Sequence, residues 1–360
     1  MKSWLGEARK QAIMSHAVLK NVSVIGAGGI GCAIAHALRA GDVDITLVES
    51  DAEKVRWGKA NGVGIDGQSC FPINIVSFEQ WSPPTSSEDS LVVLCTKCYD
   101  NQLVLSRLCQ ETDVVPIQNG FDRQLMDRVN HEGIASFVSE CHAGQTQTRI
   151  TRKGELHLGR SGDCQSQIMH PMREALAQVL SEHGSFDVLE VNDVRPFKYA
   201  KVMYNAAISP LAAVTGLDNS KLLTLGPARR LFFAFLRENY RILKAAGIEL
   251  GKVGPFYPQT VNRILSVPFL ARAMAVPFSA SLRNTYCSMS GDIERGQTEI
   301  RNFNGHLIDV AGHEPCELNR RACDLVERMA AVRATPALHF LDEMASVASV
   351  SQPESEGGVQ

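Results

Sequence analysis

Residues 22–31 read Val-Ser-Val-Ile-Gly-Ala-Gly-Gly-Ile-Gly, followed by Cys-Ala-Ile-Ala-His-Ala-Leu. A β-branched strand runs into G-x-G-x-x-G, and an apolar segment of helix-forming residues leaves it. The glycines have separate uses. Gly26 allows a tight turn, Gly28 lets the main chain approach a ligand, and Gly31 lets the helix pack close to the strand. A helix whose first amides face such a turn suits the pyrophosphate of a dinucleotide, with Gly29 and Ile30 completing the loop. The glycine motif alone is weak evidence. Here a second strand follows and ends in Glu49, where a carboxylate can accept from ribose hydroxyls.

At 360 residues the chain exceeds one ordinary core, and two domains are expected. A formal net charge of -3 gives no basic field, which argues against nucleic acid or an anionic membrane as partner. No apolar stretch approaches the length of a membrane span. The ten cysteines lack framework spacing and read as reduced thiols of a cytoplasmic protein. Cys95-Thr-Lys-Cys98 has no second pair or nearby histidine, so no metal site is expected and Cys95 reads as core. Residues 1–20 lack the apolar centre of a secretory signal and read as an extension, with Met14 an alternative start. The polar tail at 347–360 is expected to be disordered.

Between 21 and 192 strands alternate with helices. Strands are expected at 22–26, 45–49, 73–76, 91–96 and 114–118, and helices at 30–40, 52–60, 102–111 and 123–130. This is the pattern of an α/β domain, a parallel sheet covered on both faces. Strand-rich pieces at 134–142 and 150–158 follow, with a hairpin turn at Lys153-Gly154, then a helix at 166–183 and a strand at 188–191. From 193 to 346 the pattern becomes all-helical, with helices at 196–214, 222–246, 258–265, 280–295, 299–311 and 318–331. A Rossmann domain before a helical domain leads to the expectation of a substrate cleft between them.

Lys201, Asn205 and Ser209 lie at i, i+4 and i+8 of the first long helix of the second domain and share one face. A solvated polar stripe is one reading. The rest of that helix is strongly apolar, however, and a buried lysine beside an amide and a hydroxyl needs a ligand or a partner.

With these residues in place, the chain resembles the ketopantoate reductase family. The resemblance is carried by the glycine run, Leu94-Cys-Thr-Lys97, Pro116-Ile-Gln-Asn119-Gly120 and Lys201-x-x-x-Asn205-x-x-x-Ser209-Pro210-Leu211. It continues in Ser288-Met289-x-x-Asp292, Thr298-Glu299-Ile300 and Asn304-Gly305. It implies a Rossmann domain followed by a helical one, and a place in pantothenate biosynthesis. Lys201 would be the general acid that protonates a 2-oxo group as hydride arrives. Glu299 would bind a substrate hydroxyl or position the lysine. Asn119 would contact the nicotinamide ribose and the lysine, and Lys97 would lie near the cofactor. Asn205, Asn219 and Ser288 match substrate-contacting positions. Taken singly, Asn119-Gly120 reads equally as a turn, Glu299 as a surface charge and Ser288 as a cap.

Three departures from the family pattern matter. Ser209 stands where the family usually has a second asparagine, so the substrate group met there is different or differently placed. The segment from Met289 to Glu299 is one residue short, and unless the 295–297 turn absorbs this, Glu299 swings by about 100° around its helix. Glu49 replaces the arginine that usually meets a 2′-phosphate, so NAD(H) is expected to be favoured over NADP(H). The expectation is an oxidoreductase acting on a small 2-oxo acid or D-2-hydroxy acid. The alternatives are an opine- or 3-hydroxyacid-type dehydrogenase and a non-catalytic nicotinamide sensor. Apolar stretches at 232–236 and 267–270 would line a pocket or a homodimer seam.

Overall fold

The computed structural model describes residue 19 and residues 21–84, 90–162, 171–283, 285–287 and 289–346. The expected extension (Leu19 apart), the tail, the start of the 166–183 helix and Ser288 lie outside the described residues. The chain divides into two units between Lys198 and Tyr199.

The first unit runs β1 (Val22–Ile25), α1 (Gly29–Ala40), β2 (Ile45–Glu49), α2 (Ala52–Asn61), β3 (Gly64–Ile65), β4 (Asn74–Ser77), β5 (Leu91–Leu94) and α3 (Asn101–Leu105). It continues β6 (Asp113–Pro116), α4 (Arg123–Met126), β7 (His131–Ala135), β8 (Val138–Cys141), β9 (Gln147–Arg152), β10 (Glu155–Arg160), α5 (Pro171–His183) and β11 (Asp187–Asp193). A parallel sheet has the order β4-β2-β1-β5-β6. The central strands β1, β5 and β6 are buried throughout, and β5 reads as a continuous apolar run. Val24, Leu47, Val93 and Val115 face α1 and α5, while Ile25, Val48, Val92 and Val114 face Trp81, Val104 and Leu125. Each such fully buried side chain contributes about 1.5–3 kcal/mol.

The expected Lys153-Gly154 hairpin does not form. β9 pairs with β8 and β3, whereas β10 pairs with β7 and β11, so the turn carries the chain from one small sheet to another. The expected strand at 134–142 switches sheets at the same place and is broken into β7 and β8. Ser136 holds the crossing by accepting from Glu155 N–H at 2.8 Å and donating to its carbonyl at 3.1 Å. A Cβ on Gly154 would lie 2.6 Å from Phe137 N, so only glycine fits there. The helix expected at 102–111 ends at Leu105. The Ser106 hydroxyl donates to the Leu103 carbonyl at 2.8 Å, a local bond that competes with the helix.

The second unit is helical: α6 (Arg195–Thr215, which begins before the division), α7 (Asn219–Thr224), α8 (Gly226–Ala245), α9 (Pro258–Leu265), α10 (Pro268–Ser281), α11 (His306–Val310), α12 (Glu317–Ala331) and α13 (Phe340–Ala345). The helix expected at 222–246 is split, because Leu225 is extended and Pro227 starts a new helix. No helix spans 280–295. Gly291 has φ +127, which a right-handed helix does not accommodate, and the Thr285 carbonyl accepts the Asn219 amide at 2.9 Å. The helix present instead, α10, carries Pro277 inside it, a residue that argues against a helix from sequence alone. The segment expected as helix at 299–311 contains a π-turn at Arg301–Gly305 before α11. No helix among the described residues is long and apolar enough to cross a membrane.

Candidate functional site

In the first unit the glycine turn sits at the carboxyl end of β1. Gly26 has φ +96, and a Cβ there would lie 3.0 Å from Thr96 N and 3.1 Å from the Cys95 carbonyl, so turn and close approach both require glycine. A Cβ on Gly31 would overlap the Gly26 carbonyl, which ties helix packing to that position. Gly28 differs: its Cβ would meet nothing within 4 Å, so no neighbour among the described residues excludes a side chain there. Gly28 also caps α1 with no side-chain bond. A ligand approaching the first-turn amides accounts for glycine at 28, and these residues therefore fit a dinucleotide pyrophosphate. Gly29 and Ile30 are half-buried in the same turn.

Glu49 ends β2 beside this turn. Its Oε2 accepts from Ala27 N–H at 2.9 Å, and its Oε1 from the amides of Ser50 at 2.7 Å and Asp51 at 3.0 Å. Lys54 Nζ, on α2, donates to the Ala27 carbonyl at 2.9 Å and lies 3.9 Å from Glu49 Oε2. Arg56 is exposed, as a solvated helix charge would be. The loops after β5 and β6 carry Lys97 and Asn119, both half-buried. Between them lies a buried amide pair that sequence reasoning missed. Gln118 Nε2 donates to Asn101 Oδ1 at 2.8 Å and to the Thr96 carbonyl at 2.7 Å, and Asn101 Nδ2 returns a bond to Gln118 Oε1 at 3.1 Å. Lys97 Nζ stands 5.8 Å from the Tyr99 ring centre. Also unforeseen is a buried ion pair from Lys198 Nζ to the Glu132 carboxylate, with the ammonium 4.7 Å from the Phe121 ring centre. Both pairs join residues far apart in the chain, and neither leaves a local pattern. Burial pushes the Cys95 thiol up to about 12, in keeping with a packing role.

In the second unit Lys201, Asn205 and Ser209 share a face of α6. Lys201 and Asn205 are half-buried, while Ser209 is fully buried and its Oγ meets Cys287 Sγ at 2.8 Å. Asn219 begins α7. Its Nδ2 donates to Thr285 Oγ1 at 3.2 Å, while its buried Oδ1 has no partner among the described residues. Glu299 is buried at 5% exposure, which removes the surface-charge alternative. Gly296, at φ +75, closes the preceding 3-10 turn, and Gln297 N–H donates to the Asp292 carbonyl at 3.0 Å. The segment that follows Glu299 packs along α6, with the His306 ring centre 5.6 Å from that of Tyr199 and Asn304 Nδ2 2.8 Å from the Ala206 carbonyl. Of the apolar stretches, Phe235 and Leu236 are buried, whereas Val267, Phe269 and Leu270 are exposed.

The parallel sheet, the glycine turn at its β1/β5 switch point and the carboxylate ending β2 define a Rossmann dinucleotide-binding fold, here followed by a helical unit. The family model described as Ketopantoate reductase PanE/ApbA matches residues 22–163, and its C-terminal counterpart matches 193–330. The chain belongs to the ketopantoate reductase family of oxidoreductases. The 2-dehydropantoate 2-reductase of Aquifex aeolicus is 22% identical over 303 residues, covering 80% of this chain and 89% of the relative. That of Listeria innocua is 26% identical over 232 residues, covering 62% and 74%. Among solved structures, the PanE/ApbA family ketopantoate reductase from Ralstonia eutropha JMP134 superposes with a TM-score of 0.65 at 19% identity, covering 87% of this chain and 99% of that one. D-mandelate dehydrogenase with NADH superposes with a TM-score of 0.64 at 18% identity, covering 87% and 98%. These structural likenesses establish the fold.

Proposed function

We propose that the protein is an NADH-preferring reductase of a small, hydroxyl-bearing 2-oxo acid, with Lys201 as general acid. Lys201 carries this proposal: it is a partly exposed cation on the face of α6 that also holds Asn205, one turn before it, in a chain of this family. A bound reduced nicotinamide supplies the hydride. Lys201 holds the 2-oxo oxygen by its charge and gives up a proton from Nζ as the alkoxide develops. Glu299 meets the substrate hydroxyl or orients the lysine, and Asn205 fixes the substrate's polar groups. Asn119 holds the nicotinamide ribose, and Lys97 adds a cation near the cofactor.

The substrate hydroxyl is supported by Asn219, whose buried Oδ1 lacks a donor among the described residues. Ser209, already engaged with Cys287, takes a supporting role instead of the direct contact that an asparagine would make. The cofactor preference is supported by Glu49, whose carboxylate is fixed beside the glycine turn and would repel a 2′-phosphate. The 2-oxo acid 2-dehydropantoate is the first candidate substrate.

The test follows nicotinamide absorbance with purified protein, NADH or NADPH, and a panel of 2-oxo acids with and without hydroxyl groups. Turnover of a hydroxylated 2-oxo acid with NADH is the expected result. Activity only with an amine present, or only on 3-oxo acids, would replace the proposal with an opine- or 3-hydroxyacid-type dehydrogenase.

A further inference from the structure

Two thiols that the proposed chemistry does not use lie against the glycine turn. Cys32 belongs to the first turn of α1 and is fully buried, while Cys141 ends β8 and is half-buried. Their Sγ atoms are 3.7 Å apart, and each lies 3.4 Å from the Ala27 carbonyl. Lys54 Nζ donates to the same oxygen at 2.9 Å. One carbonyl inside the turn thus gathers two thiols and an ammonium. β8 also touches the turn directly, since a Cβ on Gly29 would overlap the Ser139 carbonyl.

We propose that Cys32 and Cys141 form a reversible dithiol–disulfide site, oxidised by hydroperoxides, and that the disulfide weakens dinucleotide binding at the adjacent turn. The second half of this rests on the dinucleotide role of that turn. The two thiols have different parts. A hydrogen bond from Cys32 favours the Cys141 thiolate, and the charge of Lys54 adds to this, so the more exposed sulfur is the nucleophile. The same contact, together with burial, keeps Cys32 protonated, as a resolving thiol should be.

The Cys141 thiolate attacks a peroxide oxygen; an S–O bond forms, the O–O bond breaks, and hydroxide leaves as water. Cys32 then loses its proton and its sulfur attacks Cys141 sulfur, forming S–S and expelling the sulfenic oxygen as a second water. Two thiols are oxidised by two electrons, and one hydrogen peroxide is reduced to two waters. The gap of 3.7 Å must close to a bond of about 2.05 Å. Closing that gap draws the turn toward β8, away from the position in which the amides of Gly28 and Gly29 can meet a pyrophosphate.

The test starts with fully reduced protein, which is exposed to hydrogen peroxide, alkylated and mapped by peptide mass. The expected product is a crosslinked pair of peptides holding Cys32 and Cys141, lighter by two hydrogens and restored by dithiothreitol. In Cys32→Ser, Cys141 should stall as a dimedone-reactive sulfenic acid. NADH titration of the same samples by nicotinamide fluorescence should show about tenfold weaker binding after oxidation, and no change on peroxide treatment of Cys141→Ser. Recovery of both residues as alkylated thiols, or of Cys141 as sulfinic acid without a crosslink, overturns the site. A crosslink with unchanged NADH affinity overturns the coupling. Reduced protein that binds no NADH refutes the dinucleotide role of the turn and the coupling with it, while the peptide map still decides the disulfide.

Discussion

Pro210 lies inside α6 and has no amide hydrogen, so the helical bond to the Ala206 carbonyl cannot form. Asn304 supplies the missing donor. Its Nδ2 reaches the Ala206 carbonyl at 2.8 Å and Asn319 Oδ1 at 2.8 Å, and all three residues are fully buried. Asn319 in turn donates to Glu238 and Asn239, both at 2.8 Å, so the contact joins the π-turn, α6, α8 and α12. Asn304→Ala leaves two buried acceptors short of a donor. At about 1–3 kcal/mol each, the loss is about 2–6 kcal/mol. For a unit of this size that lowers Tm by about 4 °C or more. Pro210→Ala restores an amide hydrogen for the Ala206 carbonyl, so Asn304→Ala should cost over ~1 kcal/mol less in that background than in the wild type. Urea and thermal unfolding of the four proteins measure the cycle. Costs that add within ~0.5 kcal/mol would show that Asn304 does not replace the proline's missing bond.

Stability of the first unit should fall in acid. Burial, with Arg173 helping, pushes His131 down to about 4 from an ordinary 6.5. The unfolded chain therefore takes up this proton first, so stability is full above about pH 6.5 and declines toward pH 4 by roughly 3 kcal/mol. His36 and His157, also lowered by burial, act in the same sense. His131→Asn should flatten the profile in denaturant unfolding, and an unchanged slope would count against it. Gly28→Ala should leave Tm within ~2 °C yet weaken NADH binding, because its Cβ enters open space. Gly31→Ala should lose stability as well, because its Cβ meets the Gly26 carbonyl. Equal Tm values for the two variants would remove the distinction. Glu49→Arg should shift the ratio of NADPH to NADH affinity upward by about tenfold or more, read by titration with each cofactor. A constant ratio would take Glu49 out of cofactor choice.

The parts of the fold legible in the sequence are those with a local cause. The glycine turn, β2 ending at Glu49 and α12 all follow from periodicity or from a backbone that only glycine can adopt. The failures share a different cause. Lys153-Gly154 looks like a hairpin turn, but pairing is decided by distant partners, and β9 and β10 join different sheets. α10 was hidden by its prolines, and the non-helical stretch after it is held by Asn219 and by the backbone of Gly291. Among the candidate site residues, Lys201 and Asn205 could be placed on one helix face by spacing alone. The Gln118–Asn101 and Lys198–Glu132 pairs could not, because each joins residues whose proximity exists only after folding.

The central claim is that Lys201 delivers the proton that completes reduction of a 2-oxo acid. The most direct measurement compares wild type with Lys201→Ala in NADH-dependent reduction of the best 2-oxo acid, with NADH affinity measured on the same samples. Turnover should fall by about 10²–10⁴-fold while NADH affinity stays within about twofold. Turnover that survives the substitution would contradict the claim.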